Sequence, residues 1–236
     1  MSGRSFAIIF RRELKALFLT PIAYIVIALF LGIVGWFFFS TFFLAGRADL
    51  RDFFSLLPLI LSFTVPAVTM RLFAEERRSG SYEVLSTLPV TGMEVLLGKY
   101  ASAVAFILIM VLPTFSYALF ASGLGELDWG PVAGGYLGTL LLALMLCALG
   151  TLASALTRNQ IVAFIIGLVA CVLLTIIDKM LYFFPAGVAG VLQYLGADYH
   201  FRNVSKGVLD SRDIVYFLSM AFFAVYATYI VNDEKR

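Results

Sequence analysis

Charged and metal-binding side chains are scarce in this sequence. Only 14% of its 236 residues are charged and 61% are hydrophobic, whereas an ordinary soluble domain has about 25% charged residues. With one histidine and two cysteines, it contains neither an H-E-x-x-H zinc motif nor a C-x-x-C pair. The net charge of +2 gives no indication of nucleic-acid binding. The composition therefore favours a membrane protein with no metal centre of its own.

The two cysteines and the histidine have structural interpretations. Cys147 and Cys171 each lie in the middle of an apolar run, so we predict that both are packing residues. His200 stands beside Asp198 and Tyr199 in a more polar segment. We predict a structural hydrogen bond for His200, although spacing alone leaves a Ser–His dyad open as an alternative.

Uncharged runs long enough to cross a membrane dominate the chain. A spanning helix needs about 20 apolar residues to cross about 30 Å of hydrocarbon. Six runs meet this length: 21–46, 53–70, 100–125, 129–157, 159–177 and 214–232. We therefore predict an all-α membrane protein of six transmembrane helices, forming a single domain over residues 1–236.

A seventh uncharged run, 180–197, needs a separate decision. It is interrupted by Pro185, Gly187, Gly190 and Gly196, and irregular backbone at membrane depth requires cover from protein. We predict that 178–213 is an external segment with one or two short, partly embedded helices. A spanning 180–197 remains the alternative.

The segment 4–20, before the first run, has helical periodicity. Its apolar side chains form one stripe: Phe6, Ile9, Phe10, Leu14 and Leu17. Its basic side chains fall mostly on the other side: Arg4, Arg11, Arg12 and Lys15. This pattern predicts an amphipathic elbow helix at the membrane interface, with the stripe toward the acyl chains and Arg11, Arg12 and Lys15 toward the headgroups. A solvated tail is the alternative.

The distribution of basic residues predicts the orientation. With the N-terminus inside, the six-span arrangement places eleven Lys and Arg residues in inner segments and six in outer ones. Inner loops carry the excess of positive charge. We therefore expect both termini in the cytoplasm.

The inner segment 71–99 is the longest and most densely charged loop. Residues 73–78 extend the second span below the membrane, and Ser79–Gly80 interrupts that helix. Residues 81–88 then form a short helix that stops at Pro89. Thr91 and Glu94 form a T-x-x-E capping box for the next helix, which leads into the third span. The spacing thus predicts a short transverse helix at the cytoplasmic face, with an ordinary interfacial loop helix as the alternative.

This loop carries a family resemblance. It contains EERRSGSYEVLSTLPVTGMEVLLGKY, which resembles the E-E-[KR]-x-S-G-[ST]-x-E-x-L-x-[ST]-x-P loop of ABC-2-type permeases. FRRELKALFLTPIAYIV and NQIVAFIIG resemble the elbow and the fourth-to-fifth connection of the same family. ADYHFRNVSKGVLDSRDIVYFLS resembles the external segment of the gliding-motility-associated subgroup.

The resemblance implies six spans per subunit, dimerisation, and a coupling helix in the first inner loop that docks on a separate ATPase. Carried over position by position, it places the coupling segment at 79–89. The ATPase-coupling residues that it implies are Glu75, Glu76, Arg78, Ser79, Gly80, Ser81, Tyr82, Glu83, Leu85, Leu88 and Pro89.

A nucleotide site is absent from the sequence. The string nearest to G-x-x-x-x-G-K-[ST] runs from Gly92 to Tyr100; it is one residue too long, and Tyr100 follows Lys99. We therefore expect no enzyme activity and no cofactor in this chain, with ATP and Mg²⁺ bound by an ABC ATPase subunit in trans. The other expected partners are a second permease copy or a similar permease, and membrane lipid, but not nucleic acid.

The sequence thus predicts the permease subunit of an ATP-driven exporter in a bacterial cytoplasmic membrane. The spans carry almost no ionisable residue, which argues against an ion-coupled transporter. Two alternatives from other classes stay open. One is a scaffold or regulatory subunit that docks an ATPase without transporting, and the other is an intramembrane enzyme that depends on His200.

Overall fold

The computed structural model describes residues 3–45, 49–81, 90–180 and 185–233. Every regular element in these ranges is a helix. The helices are α1 (Gly3–Phe18), α2 (Pro21–Ala45), α3 (Arg51–Thr69), α4 (Arg71–Ser79), α5 (Gly92–Val111), a 3₁₀ turn (Leu112–Thr114), α6 (Phe115–Leu124), α7 (Trp129–Leu156), α8 (Gln160–Ile176), α9 (Ala186–Leu195), α10 (Ala197–Ser205) and α11 (Ser211–Asp233). The predicted all-helical fold class is confirmed for these residues.

Five helical segments are long and apolar enough to cross a membrane. They are Pro21–Leu44, Arg51–Ser79, Gly92–Leu124, Trp129–Leu156 and Ser211–Asp233. The second combines α3 with α4, and the third combines α5, the 3₁₀ turn and α6. The chain is therefore a multi-pass membrane protein.

Helix α8 corresponds to the sixth predicted span but is shorter. Its 17 residues rise about 25 Å at 1.5 Å per residue, which is less than the roughly 30 Å of hydrocarbon in a bilayer. The helix is apolar, and Asn159 caps its N-terminus by accepting a hydrogen bond from the Ile161 N–H at 2.9 Å. That α8 crosses the bilayer stays a prediction.

Helix α7 lies at the centre of the bundle. It contacts α3, α4, α5, α8, α10 and α11, and its small residues allow neighbouring helices to approach closely. A Cβ at Gly138 would lie 3.2 Å from the Phe201 ring, and one at Gly135 would lie 2.5 Å from the Phe54 ring. Cys147 and Cys171 are buried in the same core, which agrees with the predicted packing role. By contrast, α2 and α11 leave most of their apolar surface outside the core.

Helix α1 corrects the predicted position of the elbow. The helix forms as predicted, but it packs side by side with α5 in the same direction. Ile9 would contact a Cβ at Gly98 at 2.7 Å, and farther along the rings of Phe18 and Phe106 lie 5.0 Å apart. The assignment of the whole apolar stripe to the acyl chains is therefore wrong, because Ile9, together with the partly buried Leu14 and Leu17, packs on protein.

The segment 178–213 contains two short helices before α11, α9 and α10, as predicted, whereas its external, partly embedded position stays a prediction. Helix α10 packs against α3, α7, α8 and α11, and its Ala197, Phe201 and Val204 are fully buried. A Cβ at Gly134 of α7 would lie 2.3 Å from the Val204 carbonyl oxygen. Because this contact lies near the start of α7, α10 occupies the end of the bundle opposite to α4.

Candidate functional site

A buried lysine joins two carboxylates where α1, α4 and α5 meet. Lys99 on α5 is only 1% exposed, and its Nζ lies 2.8 Å from Glu76 Oε1 and 3.2 Å from Glu13 Oε2. The same ammonium lies 5.4 Å from the centre of the Phe73 ring. Two charge partners and an aromatic face thus compensate the desolvation of one cation. We call Arg12, Glu13, Glu76 and Lys99 the Lys99 cluster.

Arg12 completes this cluster from the exposed side of α1. One of its terminal nitrogens, Nη2, donates to Glu13 Oε1 at 2.5 Å and to Glu76 Oε1 at 3.3 Å. The pKa of the Arg12 guanidinium is raised: desolvation lowers it, but the hydrogen bond to Glu13 and the charges of Glu13 and Glu76 outweigh that effect. Arg12 therefore makes ion pairs within the protein, in addition to the headgroup contact predicted for it.

The helical period explains why Glu13 reaches Lys99. Residues four apart lie on one face of a helix, so Glu13 follows Ile9 on the stripe that packs on α5. Ile9 forms a small buried cluster with Val95, which is one turn before Lys99. The apolar contact between Ile9 and Val95 therefore brings the opposite charges of Glu13 and Lys99 together one helical turn later.

A second set of contacts holds α4 against α7 and α11. Ser154 Oγ accepts hydrogen bonds from the Phe73 and Ala74 N–H groups at 3.0 and 3.1 Å, and donates to the Met70 carbonyl at 2.9 Å. The Arg77 guanidinium donates to the carbonyl of Ala155 and to Asn232 Oδ1. These bonds connect α4 to residues roughly 80 and 155 positions away.

The predicted loop has the predicted borders. Gly80 ends α4 in the left-handed region with φ of 75°, a conformation that favours glycine. The capping box at the start of α5 is confirmed: Glu94 N–H donates to Thr91 Oγ1 at 3.3 Å, and Thr91 N–H donates to Glu94 Oε2 at 3.1 Å. The resemblance-derived residues Tyr82, Glu83, Leu85, Leu88 and Pro89 lie outside the described residues.

The remaining predicted residues lie around this border. Glu75 accepts from Arg71 Nε at 2.9 Å across one helical turn, and Ser79 Oγ lies 2.8 Å from Ser81 Oγ. Arg78 is exposed at the end of α4. Arg11 and Lys15 are exposed on α1, as predicted for the basic face.

A cavity of about 550 Å³ opens between α1, α4 and α5. Its lining residues include the whole Lys99 cluster, Glu75 and Ser81, together with Ala16, Leu17, Arg71 and Leu72. The second oxygen of Glu76, Oε2, is buried and has no hydrogen-bond partner within the described ranges. The cluster therefore lies directly next to the point where the chain enters the predicted coupling segment.

One comparison with known proteins decides the family. The model of the ABC-2 family transporter proteins matches residues 17–197. The chain belongs to the ABC-2 transporter family. No curated protein gives a significant match to it.

Family membership gives this ABC-2 protein its general role. It is a permease component, the membrane part of an ABC transporter, and the family implies association with an ABC ATPase subunit. Such membrane components are generally not catalytic. Within the ABC-2 family, the gliding-motility subgroup stays a prediction.

The match to the ABC-2 family begins at Leu17 and ends at Ala197. It therefore includes Glu76 and Lys99 of the cluster and excludes Arg12 and Glu13. A sequence signal for Glu13 nevertheless exists, because it is an acidic residue on an otherwise apolar stripe between Ile9 and Leu17. No local sequence pattern indicates the contacts of Ser154 and Arg77, because their partners are far away in the chain.

Proposed function

We propose that this chain is the permease subunit of an ATP-driven exporter whose separate ATPase docks on the loop between α4 and α5. The family match over residues 17–197 carries the proposal, because an ABC-2 membrane component requires a motor that this sequence lacks. ATP and Mg²⁺ would bind in that ATPase subunit.

The second helical segment suits a mechanical connection. The 29 residues of Arg51–Ser79 would measure about 44 Å as a continuous helix, so they exceed the roughly 30 Å hydrocarbon thickness. The excess lies in α4, next to the predicted coupling segment 79–89. A displacement of that segment would therefore act directly on α3.

The Lys99 cluster would distribute this displacement. Lys99 on α5 is joined to Glu76 on α4 and to Glu13 on α1 by ion pairs of 2.8 and 3.2 Å. Buried ion pairs have few alternative partners, so the three helix ends would move together as a rigid body. We propose that this unit transmits the closure of the ATPase to α3 and α5.

The proposed arrangement in the membrane follows the distribution of basic residues. The loop 71–99 and both termini would face the cytoplasm of a bacterial cell, and α8 would supply the sixth crossing. Two such subunits, identical or similar, would form the translocation path. The connection between α4 and α5 would then be accessible only from the cytoplasm.

Charge reversal in the loop tests the docking. The ATPase that co-purifies with the tagged chain in mild detergent is identified, and its amount per permease is measured for Glu83→Arg. We expect a decrease of about tenfold or more. In the proposed docking, the acidic Glu83 faces a basic surface of the ATPase, so an arginine there would bring like charges together at the interface, which is strongly unfavourable. Glu126→Arg is the matched control, since Glu126 is exposed in the connection between α6 and α7, at the other end of the bundle.

Two outcomes would contradict the proposal. The first is normal ATPase recovery with Glu83→Arg together with unchanged transport, and the second is ATP hydrolysis by the isolated chain. A transport measurement separates an exporter from a docking scaffold. Inside-out vesicles are incubated with and without ATP, and mass spectrometry identifies what accumulates in the lumen only when ATP and both subunits are present.

A further inference from the structure

A small polar pocket lies beside α10, at the end of the bundle opposite to the Lys99 cluster. Its volume is about 250 Å³. Its walls come from the end of α8, from α9 and from α10 and its C-terminal end: Asp178, Gln193, Tyr199, Arg202, Asn203 and Lys206. Nothing in the proposed export mechanism uses these residues.

Arg202 is held in a fixed orientation behind this pocket. Its Nη2 donates to Asp178 Oδ2, and its Nε lies 3.3 Å from Asp198 Oδ2. The two carboxylate side chains are only 2% exposed, whereas the Arg202 side chain is 48% exposed. Its other terminal nitrogen, Nη1, makes no hydrogen bond to the described part of the chain. Arg202 is thus oriented by buried acids while one edge of its guanidinium remains available.

The charge around the pocket is positive. Asp178 and Asp198 are opposed by Lys179, Arg202 and Lys206, which leaves a local charge of +1. Burial raises the pKa of the Asp198 carboxyl, and Asp178 adds to this effect while Lys179 and Arg202 oppose it. A raised pKa favours the neutral form of Asp198, so the net charge around the pocket is not below +1.

Neutral donors complete the walls. The amides of Gln193 and Asn203 and the hydroxyl of Tyr199 line the pocket, and these side chains form no hydrogen bond with the residues that the structure describes. Lys206 is exposed and lies one turn after Arg202. Besides the Asp178 carboxylate, which is paired with Arg202, the lining offers two cations and three neutral groups with N–H or O–H donors, a set that suits an anion with several acceptor oxygens.

Two exposed aromatic side chains lie near the pocket. Gly207 directly follows Lys206, and a Cβ placed on it would lie 3.1 Å from the carbonyl carbon of Gly130 at the start of α7. Trp129, the neighbour of Gly130, and Tyr194 on α9 are both exposed. Trp and Tyr are enriched at the headgroup level of membrane proteins, so we expect the pocket to lie at that level.

We propose that this pocket binds the phosphate group of a phospholipid headgroup, with Arg202 and Lys206 as its cations. The guanidinium edge would bind two phosphate oxygens, as arginine does in planar sites. Lys206 would contribute a point charge, and Tyr199, Gln193 and Asn203 would bind the remaining headgroup oxygens. The position beside exposed aromatic residues favours a lipid phosphate over one from solution.

Lipid titration of the purified full chain tests this site. Native mass spectrometry measures the affinity for dioleoylphosphatidylglycerol and for dioleoylglycerol, which lacks phosphate. We expect the phospholipid to bind more tightly, and Lys206→Gln to weaken it by about fivefold, as for one partly exposed charge contact. Arg212→Gln is the matched control, because Arg212 is an exposed cation on α11 that does not line the pocket.

The outcomes separate the possible ligands. Equal binding of dioleoylglycerol, no change with Lys206→Gln, or an equal loss with Arg212→Gln would overturn the proposal. Inorganic phosphate is the second ligand titrated. Lys206-dependent binding of inorganic phosphate without Lys206-dependent binding of phospholipid would overturn the assignment to lipid. A melting temperature within about 2 °C of the wild type confirms that the Lys206→Gln protein is folded.

Discussion

The Lys99 cluster and the charged network around Arg202 are built differently at the two ends of one bundle. In the Lys99 cluster a single buried lysine serves two carboxylates, Glu13 and Glu76. Around Arg202, by contrast, Asp198 is paired with both Arg202 and Lys179. Both networks contain two cations, but only the Lys99 cluster has a buried one: the Lys99 side chain is 1% exposed, whereas those of Lys179 and Arg202 are 47% and 48% exposed.

The networks also differ in what they connect. The Lys99 cluster joins three helices whose residues are 23 and 63 positions apart, as the numbers of Glu13, Glu76 and Lys99 show. The Arg202 network lies within the 178–213 segment, and it is supported by His200, whose ring lies 2.6 Å from Asp213 and 3.0 Å from the Tyr194 carbonyl. The first network therefore links separate elements, whereas the second fixes one segment internally.

The largest effect is expected where the cation is buried. Lys99→Met would leave Glu13 and Glu76 without their buried partner, and removing one member of a buried ion pair costs about 3–5 kcal/mol. Thermal unfolding in detergent would measure this loss. Lys179→Met is the matched control at the other end, and we expect it to cost at most about 1 kcal/mol because the Lys179 side chain is half exposed and its charge is screened by solvent. Equal losses in the two variants would remove the distinction between the networks.

A medium effect is expected where α10 meets α7. Gly134→Ala would place a methyl group 2.3 Å from the Val204 carbonyl oxygen and 3.0 Å from the Gly207 Cα. Such overpacking against backbone typically costs about 1–3 kcal/mol, which a lower melting temperature would reveal. Gly32→Ala is the control, because a Cβ there has nothing within 4 Å and alanine favours helix. An unchanged melting temperature for Gly134→Ala would mean that α10 can move away from α7.

The sequence predicted helices and their ends better than their partners. Local signals define the capping box of Thr91 and Glu94 and the glycine end of α4 at Gly80, and both are confirmed. A structural hydrogen bond was also predicted for His200, which bonds to Asp213 and the Tyr194 carbonyl. Each of these features depends on residues close together in the chain.

What the sequence did not predict depends on distant residues. The stripe on α1 was assigned to lipid because an apolar helical face looks the same whether protein or acyl chains cover it. The ion pairs of Lys99 required α1 and α5 to lie side by side, which periodicity within either helix does not determine. Lys99 ends the charged loop 71–99 and follows Gly98 in the string nearest to a nucleotide motif, and neither pattern indicates its ion pairs.

The smallest effect is expected at the junction of α3 and α4, where the supporting group is neutral. Ser154→Ala removes the hydroxyl that bonds to the Met70 carbonyl and to the Phe73 and Ala74 N–H groups. Loss of neutral hydrogen bonds of this kind costs about 1–2 kcal/mol, less than the loss of Lys99. Hydrogen exchange should therefore accelerate at the Phe73 and Ala74 amides, while the amides of α10 stay protected. Ser116→Ala is the control, because among the described residues that hydroxyl bonds to the Pro113 carbonyl on its own helical turn and to no other group. Faster exchange at both ends in Ser154→Ala would indicate that the two ends of the bundle unfold as one unit.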